Sequence, residues 1–450
     1  MDNTNFEILI NKWNPHFQDV EKGEWVGTIP REHYLTAIFE TMNIRHVTVL
    51  SGVRRSGKST IIKQLIQKLI EKGNNPQNLL FLQLEDVLIS PMLDRGWQLL
   101  EDIYKYYLEK YNPKGRVYLF LDEIQGISDF NKWINSYYER KYDIKFVISG
   151  SRQSLLESES ATILTGRTVK FDIYPFSFSE YLQIKGVFPQ KTEGISKTLD
   201  LNFDQSSQIL HHLGNYLIEG GFPEIVLEQN QRNKELIANS YYNDILVRDI
   251  IKPNSIRNAL DIENLGLQVL SDFTKTHTYR SLGKPQRIVA ETVKQYLNYF
   301  YQSYLFFESS YFSHKVKETH DIQKPKKLFV IDNGVRNFNI LNLRKDWGQC
   351  VENIVYLELK KNHRAVYYWK GNNEIDFVVV DPRQEKNIQL FNVNYTDDAS
   401  EREILGLLEG MEKFQVNEAM LLTKNLHKSE TIGNKVIHFI PLWVWLIMGN

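Results

Sequence analysis

The chain has 450 residues, of which 42% are hydrophobic and 24% are charged, and this balance excludes a disordered or fibrous protein. Its 54 Lys and Arg residues nearly cancel its 55 Asp and Glu residues, so the net charge of −1 does not by itself indicate a nucleic-acid or membrane partner. The single cysteine, Cys350, excludes a disulfide framework and a cysteine-based zinc site.

The two ends of the chain indicate where the protein resides. The N-terminus lacks the basic start and the apolar run of a signal peptide. The most apolar stretch, residues 439–448, has about half the length that spans a bilayer, and we interpret it as a buried C-terminal element. We therefore expect a cytoplasmic protein with no membrane partner.

The N-terminal part of the chain alternates between strand and helix patterns after a helical segment at residues 1–45. Apolar, β-rich runs occupy residues 46–53, 79–86, 117–123 and 145–151, and helical periodicity occupies residues 60–73 and 97–110. Strands that alternate with helices are joined by right-handed crossovers and form a parallel sheet. We expect an α/β fold with a P-loop nucleotide-binding architecture over residues 46–182.

Three further domains are predicted in the C-terminal part. Helical periodicity dominates residues 183–275. Helices followed by two β-like runs with a basic connection are typical of a winged helix at residues 276–344. Residues 345–450 combine helices and strands in a unit of ordinary domain size.

A phosphate-binding loop is predicted at residues 52–59. The sequence Gly-Val-Arg-Arg-Ser-Gly-Lys-Ser matches G-x-x-x-x-G-K-[ST] and lies between a predicted strand and a predicted helix. We expect Lys58 to reach the β- and γ-phosphates and Ser59 to ligate Mg²⁺. Arg54 and Arg55 either counter phosphate charge or are ordinary exposed loop arginines. The predicted nucleotide-binding residues of this loop are Gly52, Arg54, Arg55, Ser56, Gly57, Lys58, Ser59 and Thr60.

An acidic pair ends the buried strand at 117–123, which we expect beside the phosphate loop. Asp122 is predicted to hold Mg²⁺, and Glu123 is predicted to orient the attacking water as a base. The strand at 145–151 brings Ser149 and Ser151 to the same sheet edge, either as contacts to the γ-phosphate or the water, or merely as residues that end a strand. Arg167 either supplies charge to the transition state, in cis or from a neighbouring subunit, or is a surface arginine.

Several segments resemble prokaryotic AAA-type ATPases that carry a C-terminal domain of unknown function. They are GVRRSGKST, LFLDEIQ, VISGS with the following SLL and LTGR, IYPFSFSEYL, YLIEGGFPEIVL and KPKKLFVIDNGVRN. The resemblance extends from about Arg31 to the end of the chain. It implies an ATPase module, a helical segment, a winged helix and a degenerate nuclease-like fold. It also favours Arg167 as an arginine-finger or sensor residue.

Local basic charge supports a DNA partner for the winged-helix region. Residues 275–294 hold five basic residues against one acidic residue, and residues 314–327 hold five against two. Basic residues on a recognition helix and a wing are typical of phosphate-backbone binding, although a solvated face or a protein-docking wing gives the same pattern. The candidate DNA contacts are Arg280, Lys284, Arg287, Lys324, Lys326 and Lys327.

The last domain resembles PD-(D/E)xK nucleases. Glu352 and Asp376 fit the first two acidic positions of that site, which holds a metal ion and activates water. Asn392 and Asn394 stand where a carboxylate and a lysine are required. We therefore expect a retained scaffold rather than a nuclease.

These features together predict an ATP-binding, Mg²⁺-dependent ATPase of AAA type. ATP and ADP are the expected ligands, and the nucleotide state is expected to control DNA binding through the C-terminal half. One alternative is a slow nucleotide switch that controls a protein partner, and a less favoured one is an ATP-gated nuclease. Assembly into a homo-oligomer stays open.

Overall fold

The structure, a computed structural model, describes residues 3–18, 29–153, 163–189, 203–315, 319, 324–340, 347–362, 365–380, 388–396, 398 and 401–448. The chain divides into two compact units, Met1–Ile173 and Tyr174–Asn450. None of the helices in the described ranges is long and apolar enough to cross a bilayer. Lys317 of the predicted basic connection, the SLL segment and the expected boundary at residues 344–345 lie outside the described residues.

The first unit is built on one parallel sheet. Its strands are β1 Val47–Ser51, β2 Leu79–Gln83, β3 Val117–Asp122, β4 Ile144–Gly150 and β5 Thr168–Asp172. Its helices are α1 Asn3–Trp13, α2 Glu32–Glu40, α3 Lys58–Glu71, α4 Trp97–Tyr111 and α5 Phe130–Glu139. In the described part of this unit the sheet order is β2-β3-β4-β1-β5, with every pairing parallel. The α/β fold class and the P-loop type of sheet are confirmed.

Strand order corrects one expectation. The acidic pair was expected on the strand beside the phosphate loop, but β4 lies between β1 and β3. Leu50 of β1 pairs with Ser149 of β4, and Leu121 of β3 pairs with Ile148, so the carboxyl ends of all three strands still meet at one edge. The sequence pattern also missed β5, because its residues are half-buried along the whole strand and give no apolar run.

The N-terminal segment is attached to β2. The side chain of Asn14 accepts a hydrogen bond from the Phe81 N–H at 2.7 Å and donates one to the Phe81 carbonyl oxygen at 2.9 Å. Two residues later, His16 Nε2 donates to the carbonyl oxygen of Leu79 at 2.9 Å. Helix α1 and the residues after it therefore belong to the first compact unit.

The second unit begins with helices and continues into two sheets. Its helices are α6 Phe178–Ile184, α7 Phe203–Glu219, α8 Pro223–Leu227, α9 Gln231–Asp244, followed by a π-helix at Ile245–Ile251, α10 Ala259–Ser271, α11 Tyr279–Gly283, α12 Ala290–Gln302, α13 Asn333–Asn339, α14 Trp347–Lys361, α15 Glu401–Phe414 and α16 Leu442–Met448. Its strands are β6 Thr276–His277, β7 Phe306–Ser309, β8 Lys326–Val330, β9 Ala365–Lys370, β10 Glu374–Val380, β11 Ile388–Asn394, β12 Glu418–Thr423, β13 Lys428–Ile432 and β14 Lys435–Pro441.

Across the described residues of the second unit, β6, β8 and β7 form an antiparallel sheet in that order, and a mixed sheet has the order β13-β14-β12-β11-β10-β9. Helices α14 and α15 lie against the mixed sheet. Strand β8 is attached to α14, because the Asn353 side chain bonds both the N–H and the carbonyl oxygen of Val330 at 2.9 Å, and Phe329 stacks on Tyr356 with ring centroids 3.8 Å apart.

His16 makes the stability of the chain depend on pH. Burial disfavours the charged imidazolium and lowers the pKa of His16 to about 4, although its bond to Leu79 acts in the opposite direction. Because an unfolded histidine titrates near 6.5, protonation favours the unfolded chain. The stabilisation is complete above pH ~6.5 and is lost as the pH falls towards 4, by about 3 kcal/mol.

Urea denaturation of the wild type and of His16→Gln, which keeps an N–H donor but does not titrate, measures this effect. The free energy of unfolding of the variant should fall less steeply on acidification. Identical slopes for the two proteins would show that His16 is not the group responsible.

Candidate functional site

Two glycines allow the phosphate loop, residues 52–59, to adopt its shape between β1 and α3. Gly57 has φ 97° and precedes the first residue of α3, and a Cβ on Gly52 would lie 2.2 Å from the carbonyl oxygen of Ile173. Arg55 also has a positive φ, 67°. The first N–H groups of α3 lack acceptors within the helix, and the helix dipole is positive at that end. The loop therefore has the backbone geometry of an anion site.

Lys58 links the phosphate loop to the acidic pair. Its buried Nζ donates to the carbonyl oxygens of Gly52 and Val53, both at 3.1 Å, and lies 3.4 Å from Glu123 Oε1. The loop and the end of β3 thus face each other across one ammonium group. The structure brings together the two motifs that the sequence places 64 to 65 residues apart, counted from Lys58 to the pair at 122–123.

Ser149 holds both members of the acidic pair. Its hydroxyl donates to Asp122 Oδ1 and accepts from the Glu123 N–H at 3.0 Å. Glu123 has φ 54° and ψ 52°, a conformation that non-glycine residues seldom adopt and that directs its carboxylate towards Lys58. Ser151 has a weaker contact, at 3.4 Å from Gln125 Nε2. The intermediate strand β4 therefore positions the acidic pair.

The pKa values of the two carboxyl groups are shifted in opposite directions. Burial and the charge of Glu123 raise the pKa of Asp122, although hydrogen bonds from Ser149 and Ser59 and the charge of Lys58 oppose the change. Burial also acts to raise the pKa of Glu123, but Lys58, Gln125 and Arg54 outweigh it and leave that pKa below its usual value. Glu123 is therefore ionised at neutral pH.

The end of β3 has the donor set that a magnesium ion requires. Asp122 Oδ2 is buried, and no described residue makes a well-formed hydrogen bond to it, although Ser59 lies near enough to lower the pKa of this carboxyl. A carboxylate and a hydroxyl oxygen are ligands that Mg²⁺ accepts. The residues present thus fit the ion that the sequence predicts. Ser56 Oγ is likewise buried without a partner among the described residues, and Thr60 follows Ser59 in the first turn of α3.

Two residues of this site were missed by the sequence analysis. Gln125 Nε2 donates to Glu123 Oε2 at 2.7 Å and fixes that carboxylate from the side away from Lys58. The buried guanidinium of Arg31 donates to the carbonyl oxygen of Ser56 at 3.0 Å and so supports the phosphate loop from the N-terminal segment. Arg31 is distant in sequence from the loop. Gln125 ends the LFLDEIQ segment, but the sequence analysis assigned no role to its side chain.

Arg54 is engaged by a carboxylate. Its guanidinium forms two hydrogen bonds with Glu85, at 2.9 and 3.0 Å, just after β2. Contact with phosphate would require this ion pair to open or rearrange. The role of Arg54 in nucleotide binding, and that of Arg55, stay predictions.

Arg167 lies at the opposite end of the sheet from the phosphate loop. Its carbonyl oxygen accepts a hydrogen bond from Val47, the first residue of β1, whereas the loop begins after the last residue of that strand, about 13 Å further on. Its guanidinium contacts Glu139 Oε1 at 2.5 Å and Asn135 Oδ1 on α5. This placement does not support action on the phosphates of the same chain.

Two of the six predicted DNA contacts are withdrawn from the surface. Lys327 is 2% exposed and is surrounded by carboxylates, and Lys326 is 6% exposed with its Nζ at 3.2 Å from Ser310 Oγ. Lys324 is half-buried, with its Nζ 3.8 Å from the centre of the Tyr311 ring. The expectation that these three lysines form a basic wing is wrong for Lys326 and Lys327, because their side chains turn inward.

Three known domains match successive parts of the chain. Residues 44–182 match an AAA domain, residues 210–346 match a domain of unknown function, DUF8612, and residues 347–445 match another, DUF4143. The first match covers the phosphate loop, the acidic pair and Arg167.

Curated relatives match nearly the whole chain. Uncharacterized protein MJ1544 of Methanocaldococcus jannaschii is 30% identical over 416 residues, which cover 89% of this chain and 88% of that protein. An uncharacterized protein of Haemophilus influenzae is 27% identical over 430 residues, 93% of this chain and 98% of that one. Among solved structures, the Aeropyrum pernix ORC1 protein in complex with DNA is similar at 10% identity and a TM-score of 0.31, over 71% of this chain and 94% of that chain.

The double role of Ser149 predicts a specific loss of stability. Ser149→Ala removes a donor from Asp122 and an acceptor from the Glu123 N–H, and so leaves two buried polar groups without that partner. The free energy of unfolding should fall by about 1–3 kcal/mol. Ser151→Ala, the matched control at the residue that follows β4, removes only a contact of 3.4 Å and should cost less, about 0.5 kcal/mol. Urea denaturation measures both, and equal losses would contradict the role given to Ser149.

Proposed function

We propose that the chain binds ATP with Mg²⁺ and hydrolyses it. The chain belongs to the same family as MJ1544 of M. jannaschii, and its residues 44–182 match an AAA domain. One observation carries the proposal. The buried ammonium of Lys58 lies against the phosphate loop and 3.4 Å from Glu123, so an anion site and a carboxylate able to act on water share one location.

The phosphate loop supplies the binding energy for the triphosphate. Backbone N–H groups at the start of α3 donate to phosphate oxygens, and Lys58 exchanges its contacts with Gly52 and Val53 for the β- and γ-phosphates. Ser59 and Asp122 would hold Mg²⁺, which would neutralise the charge that develops on the phosphate oxygens.

Glu123 orients the attacking water. Its carboxylate is ionised at neutral pH and is held between Lys58 and Gln125, so one oxygen is directed by each neighbour. When Lys58 moves towards phosphate, the Glu123 Oε1 that it leaves becomes available to accept a hydrogen bond from water. A carboxylate in that position contributes to hydrolysis by orientation and by proton acceptance.

Arg167 fits a role on a neighbouring copy better than on its own chain. It is about 13 Å along the sheet from its own loop and is carried next to α5. An arginine that stabilises the transition state can be supplied in trans. We propose that role for Arg167, with a homo-oligomer as the form in which it acts.

The test of hydrolysis is Glu123→Gln, which removes the charge that accepts the proton and keeps the shape. ATP binding should stay within a few-fold of the wild type, whereas turnover should fall by about 10²-fold or more. Phosphate release measures turnover, and a fluorescent ATP analogue measures binding. The matched control is Glu71→Gln, an exposed glutamate at the other end of α3 that should leave both unchanged.

Lys58→Ala should in contrast lose binding itself, because the loop then lacks its cation. Normal turnover by Glu123→Gln would move the water-orienting role to another residue. Normal binding by Lys58→Ala would remove the phosphate-site assignment altogether.

We further propose that the nucleotide state controls DNA binding by the region from α10 to β8. Its element order is α10, β6, α11, α12, β7, β8, and the sheet order is β6-β8-β7. This succession supports the predicted winged helix. Arg280, Lys284 and Arg287 are all exposed, on α11 and the turn that follows it. They remain as the proposed phosphate contacts. Lys326 and Lys327 are left out because their side chains turn inward, and Lys324 is left out because it is half-buried over the Tyr311 ring.

Changing Arg280, Lys284 and Arg287 together to Gln tests this surface. Without these cations, duplex DNA binding should weaken about 10-fold or more, and the salt dependence should fall by about one unit of slope for each phosphate that is no longer neutralised. Fluorescence anisotropy at several salt concentrations measures both. A control with the same change of charge replaces the exposed Arg232, Lys252 and Lys413. Equal effects of the two triple variants, or none, would favour the alternative of a nucleotide switch that acts on a protein partner.

A further inference from the structure

A buried lysine lies at the centre of an acidic cluster in the second unit. We define the acidic cluster as Glu352 on α14 with Glu374 and Asp376 on β10. Lys327 Nζ is 2.7 Å from Glu352 Oε1, 2.7 Å from Glu374 Oε1 and 3.2 Å from Asp376 Oδ1. Since an ammonium group has three N–H donors, each donor has one carboxylate to face.

Lys327 reaches the cluster from another sheet. It is carried by β8 of the three-stranded sheet, whereas Glu374 and Asp376 belong to the mixed sheet. Its side chain is 2% exposed, and the three carboxylate side chains are 15%, 21% and 16% exposed. Burial acts to lower the pKa of Lys327, but the three carboxylates raise it well above its usual value. The ammonium charge is therefore permanent.

The neighbouring strand supplies support and no further oxygen ligand to the cluster. Asn392 on β11 accepts a hydrogen bond from the Asp376 N–H at 2.9 Å and donates to Glu374 O and to Glu403 Oε2, at 3.2 and 2.9 Å. Asp376 Oδ2 accepts from the Val393 N–H at 3.0 Å. The amide of Asn392 is thus committed to holding β10, β11 and α15 together.

The negative charge at this point of the structure has to be balanced. Three carboxylates that converge within hydrogen-bond distance of one atom repel each other strongly unless a positive charge lies between them or one of them binds a proton, and burial raises the pKa of Glu352 to about 7 even beside Lys327. With the ammonium in place, no group of three Asp, Glu, His or Cys side chains in the described part of the chain is arranged to hold a metal ion. The charge that satisfies the cluster belongs to the protein itself.

We propose that the Lys327 ammonium is the resident cation of the acidic cluster and takes the place that a divalent metal ion would otherwise occupy. The wild-type cluster accordingly takes up no divalent cation. Removal of the ammonium leaves carboxylate oxygens of the kind that bind Ca²⁺ and Mn²⁺ and turns the cluster into a metal site. The inference is independent of ATP hydrolysis, since its residues all lie outside the phosphate loop and the acidic pair.

The first experiment uses Tb³⁺, which binds carboxylate oxygens and emits when a nearby tyrosine is excited. The Tyr368 ring centre is 5.8 Å from Lys327 Nζ, close enough to sensitise an ion in the cluster. Full-length Lys327→Met should show one more Tb³⁺ per chain than the wild type. Lys327→Met with Asp376→Asn should lose that signal, and any ion at Asp122 is common to all three proteins and cancels.

The second experiment is rescue of stability. Loss of a buried counter-ion should lower the Tm of Lys327→Met by about 10 °C. Millimolar Mn²⁺ should restore at least half of that loss, leave the wild type unchanged, and have no effect on the double variant. Lys327→Arg, which keeps the charge, should lose less stability than Lys327→Met and take up no Tb³⁺.

Three results would overturn the proposal. The first is Tb³⁺ uptake by the wild type that Asp376→Asn abolishes, because the ammonium would then not exclude a metal. The second is a Lys327→Met variant that is stable yet binds no ion. The third is a Lys327→Met variant that fails to fold both with and without Mn²⁺, since a divalent cation could then not replace the ammonium.

Discussion

The ammonium group of Lys58 lies between the carbonyl oxygens of its own loop and the carboxylate of Glu123, and the candidate site depends on this contact. A buried positive charge has to be stabilised by oxygen atoms, and here those atoms come from two motifs. The loop contacts the ammonium through two backbone carbonyl oxygens, and Glu123, the residue after β3, contacts it through its carboxylate. A triphosphate would offer Lys58 oxygen atoms with more negative charge in the same place. The contacts of Lys58 therefore hold the site together and would be replaced by contacts with phosphate when a nucleotide binds.

The second unit also contains a buried lysine beside carboxylates, but there the lysine has a different role. Lys327, like Lys58, is a buried lysine beside carboxylates, but it faces three of them and is anchored by the attachment of β8 to α14. Lys58 lies at the start of a helix, where a ligand has backbone donors to approach. Lys327 lies in the central strand of the three-stranded sheet, and its side chain reaches carboxylates on α14 and on the mixed sheet. In the proposed function the first lysine exchanges its partners for a ligand, whereas the second keeps its three carboxylates.

Sequence was sufficient for those features that local pattern determines. Continuous apolar runs located β1 to β4, and the glycine spacing located the phosphate loop, because both depend on residues that are neighbours in the chain. The position of β4 between β1 and β3 depends on how the crossovers close, and β5 has no apolar run. The inward direction of Lys327 depends on carboxylates 25 to 49 residues further along, so a basic run that looked like surface became part of the interior. Arg31 acts through a contact to which no motif points, and the place of Gln125 in the LFLDEIQ segment does not specify its contact with Glu123.

The hydrogen bonds between Asn14 and Phe81 have a consequence for the expression of shortened forms of the chain. In the described sheet β2 is an outermost strand, and such a strand exposes peptide groups that can recruit a second chain and start aggregation. The amide of Asn14 imitates one peptide unit and occupies that position. Because Asn14 is synthesised before β2, it is already available to bond to the edge of β2 when that strand leaves the ribosome. A shortened protein that starts at residue 44, where the AAA match begins, would lack Asn14. It would expose an unpaired edge of β2 that can pair with a second chain during expression.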